Sequence, residues 1–397
     1  MEVWRLIDLG MGEPYAAQTF YEAVAEAVDN GSSQNTVILV QPASPYACLG
    51  FHQELEREID IEYCRARHLP IIRRSQGGGA TYLDSNQIFY QVVARRGSEV
   101  IPPSVEELFE KLLGVTIYVY RRLSLPAEFK ALNDVIVRGK KISGNGAGDF
   151  GTGTTILVGN IILDLDYDSM ARVLKVPSEK FRDKMAKSMR EWVTSLKGEL
   201  GRVPPVEEIK KLLAEGYEKV LGIRLKPSSP SEMERRIWER EVKPRHLSRE
   251  WLCMPELRHE QLVEGRAVKV ADGVRVVEVD HKAKKLIRVR AELIGDKILD
   301  IMLSGDFFMM PEGMLPRLEA GLKGSTLSRE DVLKRVSKFY EKTKVQTPGI
   351  SPEDFSDAVM KLREMAETYR PAVYPYTQKE SGDPATSEGT SDEGQEG

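Results

Sequence analysis

The stretch RRSQGGGATYLD, Arg73 to Asp84, decides the fold that we expect, because three successive glycines follow an arginine pair and a short apolar run. Glycine has no Cβ, so the backbone at Gly77, Gly78 and Gly79 can turn sharply and bring its NH groups close to an anion. The pattern predicts a cradle for a phosphate or carboxylate group. A glycine-rich turn between two strands, without a ligand, is the open alternative.

A second stretch, NDVIVRGKKISGNG, covers Asn133 to Gly146 and is typical of a hairpin. Val135 to Val137 predict a strand, the next three residues a tight turn, and Lys141 the start of the returning strand. Small residues after Lys141 leave room for a ligand, although a solvated lysine at a hairpin edge explains the pattern too. A basic helical segment, KMAKSMREWVTSL, follows at residues 184–196.

These stretches, with LVGNIILDLDYDSMARVLKV at residues 157–176 between them, resemble the lipoate-protein ligase family in that family's own order. The resemblance rests on several separated motifs, which makes it more specific than one glycine-rich loop. It implies an α+β fold with a mixed or antiparallel sheet and helices, as in biotin and lipoate protein ligases. Residues 301–324 resemble the smaller α+β C-terminal accessory domain of the same family. The mixed order of strands and helices favours helices against one face of the sheet.

The resemblance implies an ATP-dependent enzyme that converts lipoate or octanoate to the acyl-adenylate and transfers the acyl group to a lysine of a lipoyl domain. Expected acceptors are the E2 subunit of a 2-oxoacid dehydrogenase, the glycine-cleavage H protein or a related lipoate-binding protein. ATP and Mg²⁺ are the expected cofactors, and lipoate is a substrate. Lys141 is the predicted catalytic residue, because a compact ammonium can contact both a carboxylate and a phosphate.

The matching positions also imply binding residues. For ATP they are Arg74, Gly79, Ala80, Thr81, Tyr82 and Lys141. For lipoate they are Gly77, Gly78 and Lys141. Asp134 is a candidate Mg²⁺ ligand, since a carboxylate suits that hard ion, and capping of the hairpin is its alternative role.

Two other functions remain open. An octanoyltransferase of the same fold takes octanoyl from a carrier thioester through a cysteine and needs no ATP. The segments where that family places its nucleophile, just before residues 127–134 or after the lysine loop, hold no cysteine. The other alternative is a catalytically impaired lipoate-binding relative. It is favoured by departures from the family pattern, which are Val158, Trp192 and the glycine-rich stretch at 147–153, where an arginine is usual.

A chain of 397 residues is expected to form two or three domains. We predict a catalytic domain at 1–225, a linker with a helical middle at 226–265, an accessory domain at 266–372 and an acidic, disordered tail at 373–397.

Four large apolar residues stand together in the accessory segment, at Phe307 to Met310. We favour packing in the core and at the domain interface for them. A hinge surface that closes over the nucleotide is the alternative.

The net charge is −4, and the acidic tail accounts for it, so no basic face points to nucleic acid. Three widely spaced cysteines form neither a disulfide framework nor a CxxC metal site. The N-terminus lacks a signal-peptide pattern, and no apolar run approaches the roughly 18 residues that span a bilayer. We therefore expect a cytoplasmic protein without nucleic-acid or membrane partners.

Overall fold

The computed structural model describes residues 1–130, 132–259, 262 and 274–368. Its strands are β1 Val3–Gly12, β2 Thr36–Pro42, β3 Tyr46–Leu49, β4 Ile71–Arg73, β5 Thr81–Leu83, β6 Gln87–Arg95, β7 Ala127–Lys130, β8 Asp134–Val137, β9 Lys140–Ser143, β10 Asn145–Phe150, β11 Thr154–Ile162, β12 Arg224–Ser228, β13 Val274–Lys282, β14 Leu286–Ile294 and β15 Lys297–Gly305.

The α-helices are α1 Pro14–Asp29, α2 Leu55–Glu58, α3 Ile61–Ala66, α4 Val105–Arg122, α5 Tyr167–Val173, α6 Glu179–Trp192, α7 Leu196–Leu200, α8 Val206–Leu221, α9 Glu232–Ile237, α10 Lys243–Leu247, α11 Arg249–Leu252, α12 Met254–Arg258, α13 Leu315–Leu322, α14 Arg329–Thr343 and α15 Pro352–Thr368. A π-helical turn, Trp238–Val242, joins α9 to α10, and a 3₁₀ turn, Glu312–Met314, precedes α13. The tail at 373–397, which the sequence predicts to be disordered, lies outside the described residues. No helix of the described part combines the length and apolar character needed to cross a membrane.

The central sheet has six strands in the order β10-β11-β6-β2-β1-β12. β1 runs parallel to β2 and β12, and the other neighbours are antiparallel, so the mixed α+β class expected from the sequence is confirmed. Every residue of β2 is buried. Val37 and Leu39 pack in the cluster that contains α4 and α8, whereas Ile38 packs with Val24 and Val28 of α1. Helices on only one face were therefore a wrong expectation, because a strand that is apolar on both sides needs cover on both.

Two small sheets position the motifs that decided the sequence interpretation. In the order β4-β3-β5, the first carries the glycine-rich loop between β4 and β5. The second, β7-β8-β9, carries the lysine hairpin, with Lys141 in β9. Residues of both motifs come together beside β6 and β11 of the six-stranded sheet.

The segment predicted as a linker, 226–265, is structured in its described part. β12 pairs in parallel with β1. The indole of Trp238 lies 6.1 Å from the ring of Phe20 on α1, and Trp251 Nε1 donates to the carbonyl of Arg73 at 2.9 Å. The segment looks polar in the sequence because its helices bury only one face. The division into domains at these boundaries stays a prediction.

The accessory unit, residues 274–368, is an antiparallel sheet of β13, β14 and β15 covered by α13, α14 and α15. Phe307 and Met309 belong to its core, while Met310 joins the core of the catalytic unit, by which we mean the rest of the described chain. The ring of Phe308 meets that of Phe109 edge to face at 6.0 Å. The packing interpretation of these residues is confirmed.

A buried ionic contact connects α1 to the glycine-rich loop. The Glu22 carboxylate accepts from His246 Nε2 at 2.9 Å, and His246 Nδ1 lies 2.9 Å from the carbonyl oxygen of Arg73; neither side chain is exposed. Burial acts to raise the pKa of Glu22, but His246 and then Arg245 outweigh it, so this pKa lies below its ordinary value of 4.5.

We predict that Glu22→Ala lowers the free energy of unfolding by roughly 3 kcal/mol, because it leaves the histidine without its buried partner. Urea denaturation at pH 7 measures this, with Glu26→Ala on the same helix as the control. The pKa of Glu22 is lower in the folded than in the unfolded protein. Its carboxylate therefore contributes its full stabilisation above pH 4.5, and this contribution is lost as the pH falls through the pKa of the folded state. Equal stability of the two variants at pH 7 would contradict the role of the contact.

Candidate active site

A cavity of about 330 Å³ lies between the glycine-rich loop, the lysine hairpin and strands β6 and β11. This volume is within the range of small-molecule sites, about 300 to 1,000 Å³. The predicted site residues that line it are Arg74, Gly78, Gly79, Ala80, Thr81, Tyr82 and Lys141. Gly77 and Asp134 do not line the cavity. The structure thus brings most of the predicted residues together, while their roles stay predictions.

Lys141 is fixed at both its backbone and its side chain. Its carbonyl accepts from the NH of Thr194 at 2.8 Å, and its neighbour Ile142 accepts from the hydroxyl of Tyr120 at 2.7 Å. Its ammonium lies 2.6 Å from the carboxylate of Asp134, and the lysine side chain is 37% exposed. The hairpin therefore holds a charged, partly accessible amine beside the cavity.

Asp134 lies beside Lys141, and its role as a Mg²⁺ ligand stays a prediction. It is the ion-pair partner of Lys141. The described residues contain no cluster of three metal-ligating side chains, so they provide no protein cage for Mg²⁺. One carboxylate fits Mg²⁺ only where the ion arrives with the phosphates of a nucleotide, and it is then part of the substrate.

The glycines of the loop make room for protein as well as for a ligand. A Cβ on Gly77 would lie 2.4 Å from the carbonyl oxygen of Phe307, and the NH of Gly78 donates to that oxygen at 3.4 Å. The Arg74 guanidinium donates to the carbonyls of Gly77 and Gly79 at 2.7 and 2.9 Å. The accessory unit thus occupies the side of Gly77 where a Cβ would stand, and the predicted role of Gly77 in binding lipoate stays a prediction.

The cavity follows alternate residues of β6, which are Gln87, Phe89 and Gln91. Near Lys141, Gly144 NH donates to Asn160 Oδ1 at 2.8 Å, and Asn160 Nδ2 donates to Gln87 Oε1 at 2.7 Å. At the other end Gln91 Nε2 donates to a carbonyl of α1 at 2.7 Å. Four residue steps separate the two glutamines, about 13 Å at roughly 3.3 Å per residue. An extended eight-carbon acyl chain fits that length.

Cys48 lines the end of the cavity that lies next to α1. Its thiol is buried, 3.5 Å from Gln18 Oε1 and 3.5 Å from the guanidinium of Arg74. Burial raises the pKa of the thiol, although Arg74 opposes this shift. A thiol in this state is a weak nucleophile.

Several lining residues were not predicted from the sequence. Asn145, Asn160, Gln87 and Gln91 hold the polar frame, and Lys285 comes from the accessory unit, as does Phe308, which the sequence had singled out for packing. Only Asn145, which stands inside the SGNG motif, carried a local signal. The others reach the cavity through strand register or through the contact between units.

The three departures from the family pattern differ in their position relative to the cavity. Val158 lines the cavity, whereas Trp192 is 63% exposed and stands outside it. The glycine-rich stretch at 147–153 is the end of β10 and its turn into β11, and Asp29 accepts from the NH groups of Thr152 and Gly153. A carboxylate of α1 thus fixes this turn.

This fold and cavity define a protein of the biotin and lipoate ligase fold class. The family model of the lipoyl protein ligase A/B catalytic domain matches residues 13–218, and the chain belongs to this family.

Relatives of two kinds are similar in sequence. The octanoyltransferase LipM of Kyrpidia tusciae is 29% identical over 273 residues, which cover 63% of this chain and 98% of that protein. Lipoate-protein ligase A subunit 1 of Thermoplasma acidophilum is 29% identical over 212 residues, 51% of this chain and 79% of the relative. Enzymes of both names thus share the catalytic unit.

Solved structures match as well. The bi-partite lipoate protein ligase of Thermoplasma acidophilum, studied with its E2 lipoyl domain, has a TM-score of 0.56 at 25% identity and covers 64% of this chain and 97% of its own. LipL1 of P. falciparum, in complex with lipoate, has a TM-score of 0.60 at 13% identity and covers 90% and 98%. The second likeness shows the fold alone, but it extends beyond the catalytic unit.

We predict that Gly50→Ala displaces the glycine-rich loop, because a Cβ there would lie 1.8 Å from the carbonyl oxygen of Gly78. Overpacking of this kind costs about 2 kcal/mol, and the displaced loop should bind lipoate more weakly. Calorimetric titration with lipoate measures the affinity. Gly321→Ala is the control, since nothing lies within 4 Å of its added Cβ. Unchanged lipoate affinity in Gly50→Ala would contradict the dependence of the site on this loop.

Proposed function

We propose that this protein is a lipoate-protein ligase that adenylates lipoate or octanoate with ATP and transfers the acyl group to a lysine of a lipoyl domain. The observation that carries the proposal is the placing of Lys141. Its side chain lies near the Gln87 end of β6, whereas the cavity's cysteine, Cys48, lies beside α1, to which Gln91 is bonded. An acyl chain with its carboxylate at Lys141 points its tail, and not its reacting carbon, at the thiol.

The chemistry needs a cation at that place. A carboxylate is a poor electrophile, so one of its oxygens attacks the α-phosphorus of ATP, the bond to pyrophosphate breaks, and a mixed anhydride with AMP forms. The acceptor amine then attacks the acyl carbon, AMP leaves, and the amine loses a proton as the amide forms. The first step joins two anions, and an ammonium with three donors can contact both of them. Mg²⁺ enters with the ATP phosphates.

The ion pair with Asp134 suits this role. It orients the ammonium in advance, and a preorganised charge needs little rearrangement when negative charge develops at the phosphate. The asparagines at 133, 145 and 160 supply neutral polar groups at the same end of the cavity. A second acid there would oppose the binding of two anions.

The accessory unit also favours the ligase. The LipM relative is matched over 98% of its length by 63% of this chain, so about a third of the chain has no counterpart in it. LipL1, whose structure holds lipoate, is matched over 90% of this chain. In the present protein Phe308 and Lys285 of the accessory unit line the cavity.

An octanoyltransferase is the second candidate, and the sequence comparison favours it. Proteins named octanoyltransferase LipM match this chain at 24 to 29% identity, several of them over nearly their full length. In that chemistry a cysteine thiolate attacks the carbonyl of a carrier thioester, the carrier thiol leaves, and the acyl-enzyme passes its acyl group to the acceptor lysine. Cys48 is the thiol that lines the described cavity.

The two candidates differ in what they consume. The full chain is incubated with an E2 lipoyl domain and either lipoate with ATP and Mg²⁺ or an octanoyl carrier thioester without ATP. The acceptor is then weighed by mass spectrometry. We expect a mass gain that requires ATP. A gain only from the thioester would select the octanoyltransferase.

Two substitutions separate the routes within one protein. We expect Lys141→Ala to lower the rate of ATP-dependent labelling on the order of 100 to 1000-fold, because it removes one preorganised donor. Lys140→Ala, on the same hairpin, is the control; its ammonium donates to the carbonyl of Arg190 at 3.2 Å. Cys48→Ser should retain most of the ATP-dependent rate. Complete loss of acyl transfer in Cys48→Ser would point to a thioester route instead.

A further inference from the structure

A second lysine reaches the cavity from the accessory unit. Lys285 stands at the turn between β13 and β14, and it lines the cavity together with Lys141. Its ammonium lies 5.3 Å from the centre of the Phe308 ring, which also lines the cavity. A cation at this distance from an aromatic ring is attracted to it, so Phe308 holds the ammonium at the cavity wall.

The turn that carries Lys285 is anchored next to the glycine-rich loop. Leu286 NH donates to the carboxylate of Asp306. The Cβ of Asp306 would lie 3.9 Å from a Cβ built on Gly79, and Gly305 NH donates to the carbonyl of His52 at 3.1 Å. The residue after Lys285 is therefore tied to Asp306, and the backbone beside Asp306 is bonded to the catalytic unit.

The charge of Lys285 is poorly compensated. Among the ion pairs of the described residues, Lys141 pairs with Asp134 and Lys282 with Asp306, and none includes Lys285. Burial lowers the pKa of Lys285; the carboxylate of Asp306 opposes that shift, and the charge of Lys141 adds to it. Two lysines facing one partly enclosed cavity repel each other, and an anion between them relieves this repulsion.

From this placement we infer that Lys285 contacts the α-phosphate of ATP and of the acyl-adenylate, opposite Lys141. The accessory unit then supplies one of the two lysines of the adenylation site. This role rests on the proposed ligase function, because a thioester route offers no phosphate at this position. The carboxylate and the α-phosphate together carry at least two negative charges when they meet, which matches two ammonium groups.

The test compares three variants of the full chain. Lys285→Met removes the charge and keeps an unbranched apolar side chain over Phe308, Lys285→Arg restores a charge, and Lys284→Met removes the charge of the exposed neighbour on the same turn. Adenylation is measured without acceptor, as lipoate-dependent exchange of labelled pyrophosphate into ATP. The KM for ATP and the turnover number are recorded separately.

We expect Lys285→Met to lower kcat/KM for ATP on the order of 100-fold, the effect of one lost preorganised donor. Lys285→Arg should recover most of this loss, and Lys284→Met should equal the unaltered protein. Thermal unfolding of each variant shows whether it is folded. If Lys285→Met is unfolded, Lys285→Arg and Lys285→Gln provide the comparison of charged with neutral side chains in its place.

The outcomes separate this role from the ligase function itself. Exchange in the unaltered protein, with equal exchange in folded Lys285→Met or Lys285→Gln, overturns the role of Lys285 and leaves the ligase standing. No exchange in the unaltered protein, with acyl transfer from a carrier thioester, overturns both. If Lys285→Arg is folded but does not recover the kcat/KM lost in Lys285→Met, the loss does not come from the missing charge, and the proposed contact with the phosphate is overturned.

Discussion

The ion pair between Lys141 and Asp134 is the interaction on which the rest of the site depends. A lysine side chain has four rotatable bonds, and it can serve two anions in turn only when its position is restricted. Here the carboxylate at 2.6 Å restricts the ammonium, and the parallel bridge from Lys141 to Val193 restricts the backbone. The hairpin, the basic helix and the central sheet all contribute to the placing of one charge.

The glycine-rich loop connects that charge to the accessory unit. Its glycines allow the backbone of Phe307 to approach, and the Arg74 guanidinium holds the loop carbonyls together. Buried pairs such as Arg290 with Glu54, at 3.2 Å, lie in the same contact between units. A buried ion pair adds little net stability but is costly to break, so it favours one docking position over others. The shape of the cavity therefore depends on how the accessory unit is seated.

The sequence was informative where chemistry and local structure coincide. Residues 73–84 and 133–146 each combine a turn with polar groups at its edge. Their patterns predicted the hairpin and pointed to Lys141 and Arg74, which line one cavity. The Asp134 pairing was missed because two roles for a carboxylate look alike until the hairpin register is known. Helices on both faces of the sheet were missed too, although the unbroken apolar run of β2 contains that information.

Long-range contacts account for the remaining differences. Gln91 and Asn160 reach the cavity because antiparallel pairing aligns β6 with β11, and no local pattern specifies that register. Lys285 is one of several lysines in a charged turn, and only the docking of the accessory unit distinguishes it from Lys284. The segment at 226–265 was assigned to a linker because charged residues cover the outer faces of its helices. Such features follow from tertiary packing, which overrides local composition.

The proposed mechanism requires one fixed ammonium to gather a carboxylate and a phosphate. A crystal structure of the full chain with lipoate and a non-hydrolysable ATP analogue shows whether it does. We expect Lys141 Nζ within about 2.7 to 2.9 Å of both a carboxylate oxygen and an α-phosphate oxygen, with the acyl tail directed towards Cys48. A nucleotide bound elsewhere, or a carboxylate seated beside the thiol, would contradict it.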